Sequence, residues 1–585
     1  MRIASRGQHR YALTEGGEAG ISLIDTIVGT ALMLVIFLGI AAAFQLSVDL
    51  VMSNKARAGA IALLNERMEF VKSVSYVSLG TVGGIPAGSL AQNETIALNG
   101  ISFERRTLIA YYDDATDGSA GGDSNGIDAD SKTVKVEVSW VSRTGPRTVM
   151  ATARIAPVTG LESAVSGGTL AINAVDAQGA PLSGATVLIV NDATAVNLTT
   201  YTNAAGTVRL IGTPAGSGYA VTVTKPGYST ARTHEASTEN TNPNPGNLTV
   251  SNTVTTSSTF AIDVLGTKTV RTFTPITGAT TTDSYTDASG IATSSSITVS
   301  GGNARISGSA PFGTGTLRST AVSPSYLVRW KALSWTSSEP ASTDILLQVY
   351  DASSLALISD SQLPGNAAGF TSSPVDLSGI SASTHPALAV FATLTGADET
   401  PTLSAWNIAY DYGPVPLPNI AFTLSGAKTI GSGPSGSVYK YSATHNSGPS
   451  SSVTISNLEW DNYSIDVPAS SGYSVAAACN PQPESLAPGG SQTSALYLMP
   501  YTAHSALIDV RSAATGALLP NATVRLTRTG YNKALVTDSC GQAFFSSLAS
   551  ATYTIEVTLP GYTTYTGTNE VSVSGATKFS VTLNN

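Results

Sequence analysis

The sequence is poor in cysteine, in charge and in the side chains from which active sites are built. Among 585 residues there are two cysteines and five histidines, and charged residues make up only 12%. Two cysteines cannot supply the framework of a disulfide-rich scaffold. The net charge of −9 gives a nucleic-acid-binding surface no electrostatic basis. The composition therefore excludes both of these classes of protein.

Motifs for catalysis are missing as well. His234-Glu235 lacks the second histidine that a zinc-protease motif carries four residues after the first. The sequence contains no phosphate-binding loop and no Cys-x-x-Cys pair, and Gly433-Pro-Ser-Gly436 is a loop rather than a nucleophile elbow. We therefore predict a protein that is not an enzyme and that, calcium apart, needs no cofactor.

The most informative segment that is present is an uncharged run near the N-terminus. From Thr26 to Val48 there are 23 residues without charge, and about 20 are needed to span a bilayer as a helix. Arg2, Arg6 and Arg10 precede the run, and such a basic flank stays on the cytoplasmic side. A secretory signal peptide would have a shorter apolar core with its cleavage site after it. The pattern predicts a single membrane-spanning helix.

The order of Gly20, Ile21, Asp25 and the apolar helix resembles type IV prepilins and type II secretion pseudopilins. The resemblance implies a leader, residues 1–20, that prepilin peptidase removes after Gly20, and N-methylation of Ile21. It gives Asp25, where the family usually has Glu, the role of the assembly carboxylate that pairs with the N-terminal amine of a neighbouring subunit. The alternative is an ordinary signal-anchor helix with an acidic residue near its end.

The helix is predicted to continue beyond the apolar run, over residues 21–78. Between Asp49 and Tyr76 there is no proline, and apolar residues recur at helical spacing. This stripe consists of Ala60, Leu63, Leu64, Met68, Val71 and Val74. We expect the first half to lie in lipid or in a filament core and the second half to pack on the first globular domain.

Residues 79–160 are predicted to form a small antiparallel β head. Asn99-Gly100 is a hairpin turn signal, and the segments 134–141 and 147–155 alternate as paired strands do. A helix followed by such strands resembles the pilin head.

An acidic loop interrupts the predicted strands of the head and offers oxygen ligands of the kind that calcium prefers. Its candidate ligands are Asp113, Asp114, Asp117, Asp123, Asn125, Asp128 and Asp130. Their spacing does not match an EF-hand. The alternative is a solvated loop, whose Asp, Asn and Gly residues favour turns.

An internal repeat follows the head. Residues 175–228 and 514–562 share the same succession of turn glycines and alternating runs, each ending in Pro-Gly-Tyr. The repeat is similar to the carboxypeptidase regulatory-like domain, a prealbumin-like β-sandwich that carries no peptidase centre. We assign such domains to residues 166–252 and 501–585, and a degenerate copy to residues 415–500.

The span 253–412 differs from the repeat. After a Ser/Thr-rich lead-in it reads as a larger, jelly-roll-like β-sandwich. Trp330, Trp335 and Trp406 lie in alternating apolar strands, where core packing is the default, although exposed aromatics of such sandwiches often bind carbohydrate.

Cys479 and Cys540 lie in the third and last copies. Outside the cell they could form one disulfide, and the alternative is two buried thiols.

These predictions combine into an α+β chain: a long pilin-type helix, a small antiparallel β head and a string of all-β sandwiches. The function we predict is a minor pilin that enters a type IV pilus through its helix, at the tip or in low copy, and displays β-modules for adhesion. Its partners would be prepilin peptidase, other pilin subunits, the assembly machinery, and a glycan, host or abiotic surface. It would cross the cytoplasmic membrane once before reaching the cell surface. A type II secretion pseudopilin and a membrane-anchored carbohydrate-binding or carbohydrate-processing protein are the alternatives.

Overall fold

The computed structural model describes residues 23–114, 129–143, 145–158, 165–480 and 482–585. One α-helix, α1, spans Leu23–Ser73, and 41 strands follow it in this part of the chain. The helix contains no proline, so nothing interrupts its hydrogen-bond ladder. This arrangement confirms the predicted α+β class. The chain forms two compact units, one of residues 1–225, 230–235 and 246–261, and one of residues 226–229, 236–245 and 262–585.

Four antiparallel strands form the head, in the spatial order β1-β2-β3-β4. They are β1 Asn93–Leu98, β2 Ile101–Tyr112, β3 Ser131–Ser142 and β4 Gly145–Ile155. Asn99 and Gly100 have φ angles of 54° and 78°, the left-handed pair that a two-residue hairpin turn requires. Alternate residues of β3 are buried, and this face of the sheet packs against α1.

The first module is a sandwich of two sheets. Its segment of the chain contains β5 Gly168–Val175, β6 Thr186–Asn191, β7 Val196–Tyr201, β8 Thr207–Thr213, β9 Gly216–Thr224, β10 Ala231–Arg232, β11 Asn242–Pro243, β12 Leu248–Val250 and β13 Thr255–Ala261. In one sheet β5 lies between parallel β13 and antiparallel β8. The other sheet has the order β10-β9-β6-β7, with β12 also on β9.

The middle module starts with one strand, β14 Gly266–Thr274, and the chain then builds a complete second sandwich before returning to it. This inserted sandwich contains β15 Thr277–Asp283, β16 Ile291–Ser295, β17 Ile297–Ser300, β18 Asn303–Ile306, β19 Gly313–Ser319, β20 Leu327–Ser338, β21 Asp344–Asp351, β22 Val375–Asp376, β23 Leu388–Gly396 and β24 Thr402–Tyr412. One sheet runs β17-β18-β24-β20-β22 with β15 on β24, and the other runs β16-β19-β23-β21. Their facing sides enclose one apolar core.

The remaining strands of the middle module come after the insertion. They are β25 Val415–Pro416, β26 Ala421–Gly426, β27 Thr429–Gly433, β28 Gly436–Tyr439, β29 Ser442–Asn446, β30 Ser452–Leu458, β31 Asp461–Asp466, β32 Tyr473–Ala478, β33 Glu484–Leu486 and β34 Ser491–Pro500. Strand β14 pairs in parallel with β34 and antiparallel with β30. The second sheet has the order β29-β26-β31-β33, and β11 adds to the β27–β28 hairpin.

The last module repeats the same plan without an insertion. Its strands are β35 Ser505–Ser512, β36 Thr523–Arg528, β37 Tyr531–Val536, β38 Gln542–Phe545, β39 Ala551–Thr558, β40 Tyr565–Val573 and β41 Ala576–Leu583. Strand β35 lies between parallel β41 and antiparallel β38. All three modules therefore place their first strand beside their last strand in parallel, which closes one sheet of each sandwich.

These pairings differ from the predicted division of the chain at residues 253–412. Strand β13, which we assigned to a Ser/Thr-rich lead-in, is the closing strand of the first module. Strand β14 is the opening strand of the middle module, which is therefore not confined to residues 415–500. Both strands pair with partners far away in the sequence, and such partners cannot be predicted from the local sequence pattern.

Candidate functional site

The first half of α1 has no cover within the chain. Every large apolar side chain from Leu23 to Met52 is exposed. Among the described residues, one helix, Thr26–Ser73, is long and apolar enough to cross a membrane, and its most apolar window has a mean hydropathy of 2.6. Asp25 lies in the helical backbone at the start of this half. Gly20 and Ile21, the predicted processing site, lie outside the described residues.

The second half of α1 packs on the head. Its buried residues are Ala56, Ala60, Leu63, Leu64, Met68 and Val71, and they face Phe103, Ile109, Val134, Val136, Val138 and Trp140 of the sheet. Gly59 permits a close approach, because a Cβ atom there would lie 3.3 Å from the Phe103 ring. The predicted apolar stripe is thus the face that anchors the helix, but α1 ends at Ser73 and not at residue 78 as predicted, so Val74 of the stripe follows the helix.

Charged groups hold the same contact at its edge. Glu94 of β1 forms ion pairs with Arg67 of the helix and with Arg105 of β2, the latter at 3.1 Å. Arg105 also donates from Nη1 to the main-chain oxygen of Leu63, at 3.3 Å. At the other end of the contact, Arg143 pairs with Asp49. Since Arg67 and Arg105 are buried, their contacts are less screened by solvent than surface pairs would be, whereas the pair of Arg143 and Asp49 is exposed.

Lys132 is a buried cation that the sequence analysis did not single out. Its ammonium group donates to the main-chain oxygens of Tyr76 and Leu79, at 2.7 and 2.8 Å, just after the helix ends. Burial lowers its pKa to about 8. The alternation of side chains along β3 could have predicted its burial, because Lys132 lies on the same inward-facing side of that strand as Val134 and Val136. Lys132 fastens the segment that comes after the helix to the sheet.

An apolar groove of about 410 Å³ lies where α1 leaves the head. It is lined by Leu46, Asp49, Leu50, Met52, Ser53, Ala56, Ile101, Trp140, Val141, Ser142, Arg143 and Arg147. Val141, at the tip of β3, is 82% exposed beside it. The groove continues the uncovered apolar surface of the helix onto the head.

The head also contacts the first module, within the same compact unit. Gln92 donates to the main-chain oxygen of Asn197, at 2.7 Å. Arg106 donates to the main-chain oxygen of Thr199, and its guanidinium group lies 4.1 Å from the centre of the Tyr201 ring. These contacts dock the module on strand β2 rather than leaving it on a free tether.

Three of the candidate calcium ligands are described. Asp113 pairs with Arg209 of the first module at 3.3 Å, and Asp130 accepts a hydrogen bond from the main-chain N–H of Asp114. The described residues contain no group of three or more His, Cys, Asp or Glu side chains that could hold a metal ion. The other candidates, Asp117, Asp123, Asn125 and Asp128, lie outside the described residues, so a calcium site in this loop stays a prediction.

Cys479 and Cys540 are joined by a disulfide, with their Cα atoms 4.5 Å apart. Beside the bond, the side-chain oxygen of Gln542 accepts a hydrogen bond from the main-chain N–H of Ala478, at 2.6 Å. The bond and the hydrogen bond connect the middle module directly to the last one.

The three tryptophans are core residues, as predicted, and the alternative role in carbohydrate binding has no support from them. Trp330, Trp335 and Trp406 are at most 8% exposed and belong to the core of the inserted sandwich. The indole N–H of Trp330 donates to the main-chain oxygen of His385, at 2.9 Å. None of the three offers an exposed ring on which a sugar could stack.

Comparison with known proteins identifies the outer modules. The family model of the carboxypeptidase regulatory-like domain matches residues 169–260 and 509–584, which are the first and last modules. No curated protein matches the chain. The modules are therefore similar to a β-sandwich family, which says nothing of the helix and head.

Solved structures that match the chain include two bacterial pilins and the TIE protein of Bacillus anthracis. The Bacillus anthracis TIE protein is 11% identical, over 85% of this chain and 74% of that chain, with a TM-score of 0.15. BcpA, the major pilin subunit of Bacillus cereus, is 11% identical over 72% and 99%, with a TM-score of 0.13. The shaft pilin SpaA from Lactobacillus rhamnosus GG is 13% identical over 29% and 88%, with a TM-score of 0.11. Because these scores are low, the likeness does not extend to a shared overall arrangement.

Proposed function

We propose that the protein is a non-enzymatic, minor pilin-like surface protein that joins a type IV pilus through α1 and displays its β-sandwiches for adhesion. In this proposal prepilin peptidase cleaves after Gly20, Ile21 becomes the N-methylated first residue, and Asp25 pairs with the terminal amine of a neighbouring subunit. The chain crosses the cytoplasmic membrane before assembly and is exposed at the cell surface afterwards.

The observation that carries the proposal is the division of α1 into two halves. One half is apolar all round and uncovered, and the other is fastened to a β head by a buried stripe and by ion pairs. An apolar helix without cover requires lipid or other helices. A simple membrane anchor does not need the second half, whereas a subunit that must move from membrane to filament needs a head rigidly attached to its helix.

The modules beyond the head favour a tip or low-copy position. The first module is docked on the head, and three further sandwiches come after it in the chain. Repeated along a shaft, so large a mass on every subunit would collide with lateral neighbours. Repeated β-sandwich modules, whose strands expose polar side chains to solvent, suit display at a surface. Their ligand would be a glycan, a host component or an abiotic surface.

Substitution of Asp25 tests assembly. Since the uncharged run alone suffices to span the bilayer, Asp25→Ala should leave the protein in the membrane and deplete it from sheared filaments. Glu69→Ala is the control, because it removes an exposed carboxylate of the same helix, one that pairs with Lys72 within the helix, and it should not change recovery. Equal amounts of the Asp25→Ala variant and the wild type in the filament fraction would refute the assembly role and favour a membrane-anchored surface protein.

Processing is tested separately by N-terminal sequencing of the membrane-extracted protein. Wild type should begin at an N-methylated Ile21, and Gly20→Val should retain the leader because the peptidase requires a small residue before the cut. A wild-type protein that keeps residues 1–20 would refute the prepilin interpretation.

A further inference from the structure

A lysine, a glutamate and a glutamine meet inside the middle module. Lys268 on β14 has no exposed side-chain surface, and Glu484 on β33 is 2% exposed. The ammonium nitrogen of Lys268 lies 2.7 Å from Oε2 of Glu484 and 2.9 Å from Oε1 of Gln492 on β34. Lys268 and Gln492 are directly opposite each other in the parallel pair of strands.

The glutamate is held in place by two further donors. Ser494 donates to the same oxygen, Oε2, at 2.7 Å, and the side-chain amide of Gln482 donates to Oε1. Glu484 therefore has one fixed orientation, with Oε2 directed at the lysine. Such a fixed carboxylate is suited to accept a proton from the amine and to return it to another group nearby.

The other two modules do not need a lysine at this place. On the inward-facing side of their opening strands the buried residues carry no charge, and they include Leu170, Ile172 and Ala174 in β5 and Ala506, Ile508, Val510 and Ser512 in β35. Burial lowers the pKa of Lys268, although the hydrogen bond to Glu484 opposes this effect. A buried ion pair often adds less stability than apolar residues of the same volume. A charged lysine on this inward-facing side therefore calls for another explanation.

We propose that Lys268 and Gln492 form an intramolecular amide cross-link, with Glu484 as the proton carrier. The neutral amine of Lys268 attacks the side-chain carbonyl carbon of Gln492, which is bonded to the oxygen that the amine already contacts. Glu484 takes the proton from the attacking nitrogen and delivers it to the departing NH₂ group. The Nζ–Cδ bond forms, the Cδ–Nε2 bond breaks and one ammonia molecule leaves, so the reaction needs neither an oxidant nor a co-reactant.

The cross-link would join the opening strand of the middle module to its closing strand. The inserted sandwich separates β14 from every other strand of its module, while β34 is the strand that closes the same sheet. A bond from Lys268 to Gln492 spans 224 residues of sequence. It would tie the opening strand of the module to its closing strand, so that the module could not come apart at the insertion when the display domains are pulled.

Peptide mass spectrometry of the full-length, detergent-extracted protein tests the cross-link. After reduction of the disulfide, trypsin should leave residues 233–271 joined to residues 441–511, because a modified Lys268 is not cleaved. The joined peptides should weigh about 17 Da less than their sum, the mass of ammonia. Fragment ions must place the link at Lys268 and Gln492. Recovery of all the protein as a free peptide ending at Lys268 would overturn the proposal.

Variants separate the chemistry from the fold. Glu484→Gln preserves the shape of the carboxylate but cannot carry a proton, so it should yield the free peptides. Lys268→Met should abolish the cross-link. If this variant fails to fold, Gln492→Ala replaces it and should likewise yield the free peptides. Lys428→Met is the matched control, because Lys428 pairs with Glu459 at 2.7 Å in the same module, and it should retain the cross-link in full. A link from Lys268 to Glu484 with loss of water, about 18 Da, would overturn the assignment of Gln492.

Discussion

The buried amine of Lys132 should make the stability of the head depend on pH in an unusual direction. An isolated lysine has a pKa of 10.5, and burial lowers that of Lys132 to about 8. Below pH 8 the folded head carries a charge whose burial opposes folding. As the pH rises from about 8 towards 10.5, the folded state loses this proton before the unfolded state does, and the free energy of unfolding rises.

The size of the effect can be worked out from the two pKa values. Over the whole interval the linkage is worth about 3 kcal/mol, and between about pH 7 and about pH 9.5 it is worth roughly 2 kcal/mol. Burial raises the pKa values of Tyr76 and Tyr111, which gives the opposite dependence, but only as the pH passes the ordinary tyrosine value of 10. The head should therefore become more stable up to about pH 9.5, whereas above pH 10 the two tyrosines act in the opposite direction.

Oxidation of Met68 across a urea series measures this stability in the intact protein, because Met68 lies in the contact between helix and head. Wild type should show a midpoint higher by roughly 1 to 2 M urea at about pH 9.5 than at about pH 7. Lys132→Met should abolish the increase. It also loses two hydrogen bonds to main-chain oxygens, so the informative quantity is the change with pH and not the midpoint at one pH.

Lys135 on the same strand provides the control. Its ammonium group is one-third exposed and pairs with Glu137 at 2.6 Å, so Lys135→Met should keep the wild-type dependence on pH. If wild type and Lys132→Met show the same change between the two pH values, the buried lysine is not its cause and the reasoning fails.

Two further predictions concern the disulfide and the acidic loop. The disulfide closes a loop of 61 residues. Cys540→Ser should therefore lower the free energy of unfolding of the last module, measured by chemical denaturation, by up to about 4 kcal/mol. An unchanged midpoint would show that the contact of Gln542 with Ala478 suffices without the bond. Calcium should bind the wild type in isothermal titration calorimetry and bind more weakly to Asp123→Asn, and the absence of heat with the wild type would favour the solvated loop.

Local pattern was sufficient for the elements whose partners are close in the sequence. The long helix is explained by the absence of proline, the apolar run and the stripe that continues to Val71, and the structure places that stripe against the head. The hairpin at Asn99 and Gly100 is explained by the two left-handed residues that its turn requires. The outer modules are indicated by the repeated turn glycines, and the family match covers them.

A larger sandwich was predicted from the sequence, but its insertion into the middle module was not. Strands β13 and β14 are rich in Ser and Thr and have little apolar alternation, so the segment looked like a lead-in to the larger sandwich. Each is a sheet strand only because a distant strand hydrogen-bonds to it, and for β14 that strand comes more than 200 residues later. Pairing of this kind depends on the whole fold.

The sequence by itself determined which residues are apolar, where the chain must turn and that a helix precedes the β-domains. Only the tertiary structure decided which groups meet: that Cys479 bonds to Cys540, that Lys132 reaches the oxygens of Tyr76 and Leu79, and that Lys268 faces Glu484 and Gln492. A side chain's type and parity are local properties, whereas its burial, its pKa and its partners depend on strands that folding brings from far along the chain.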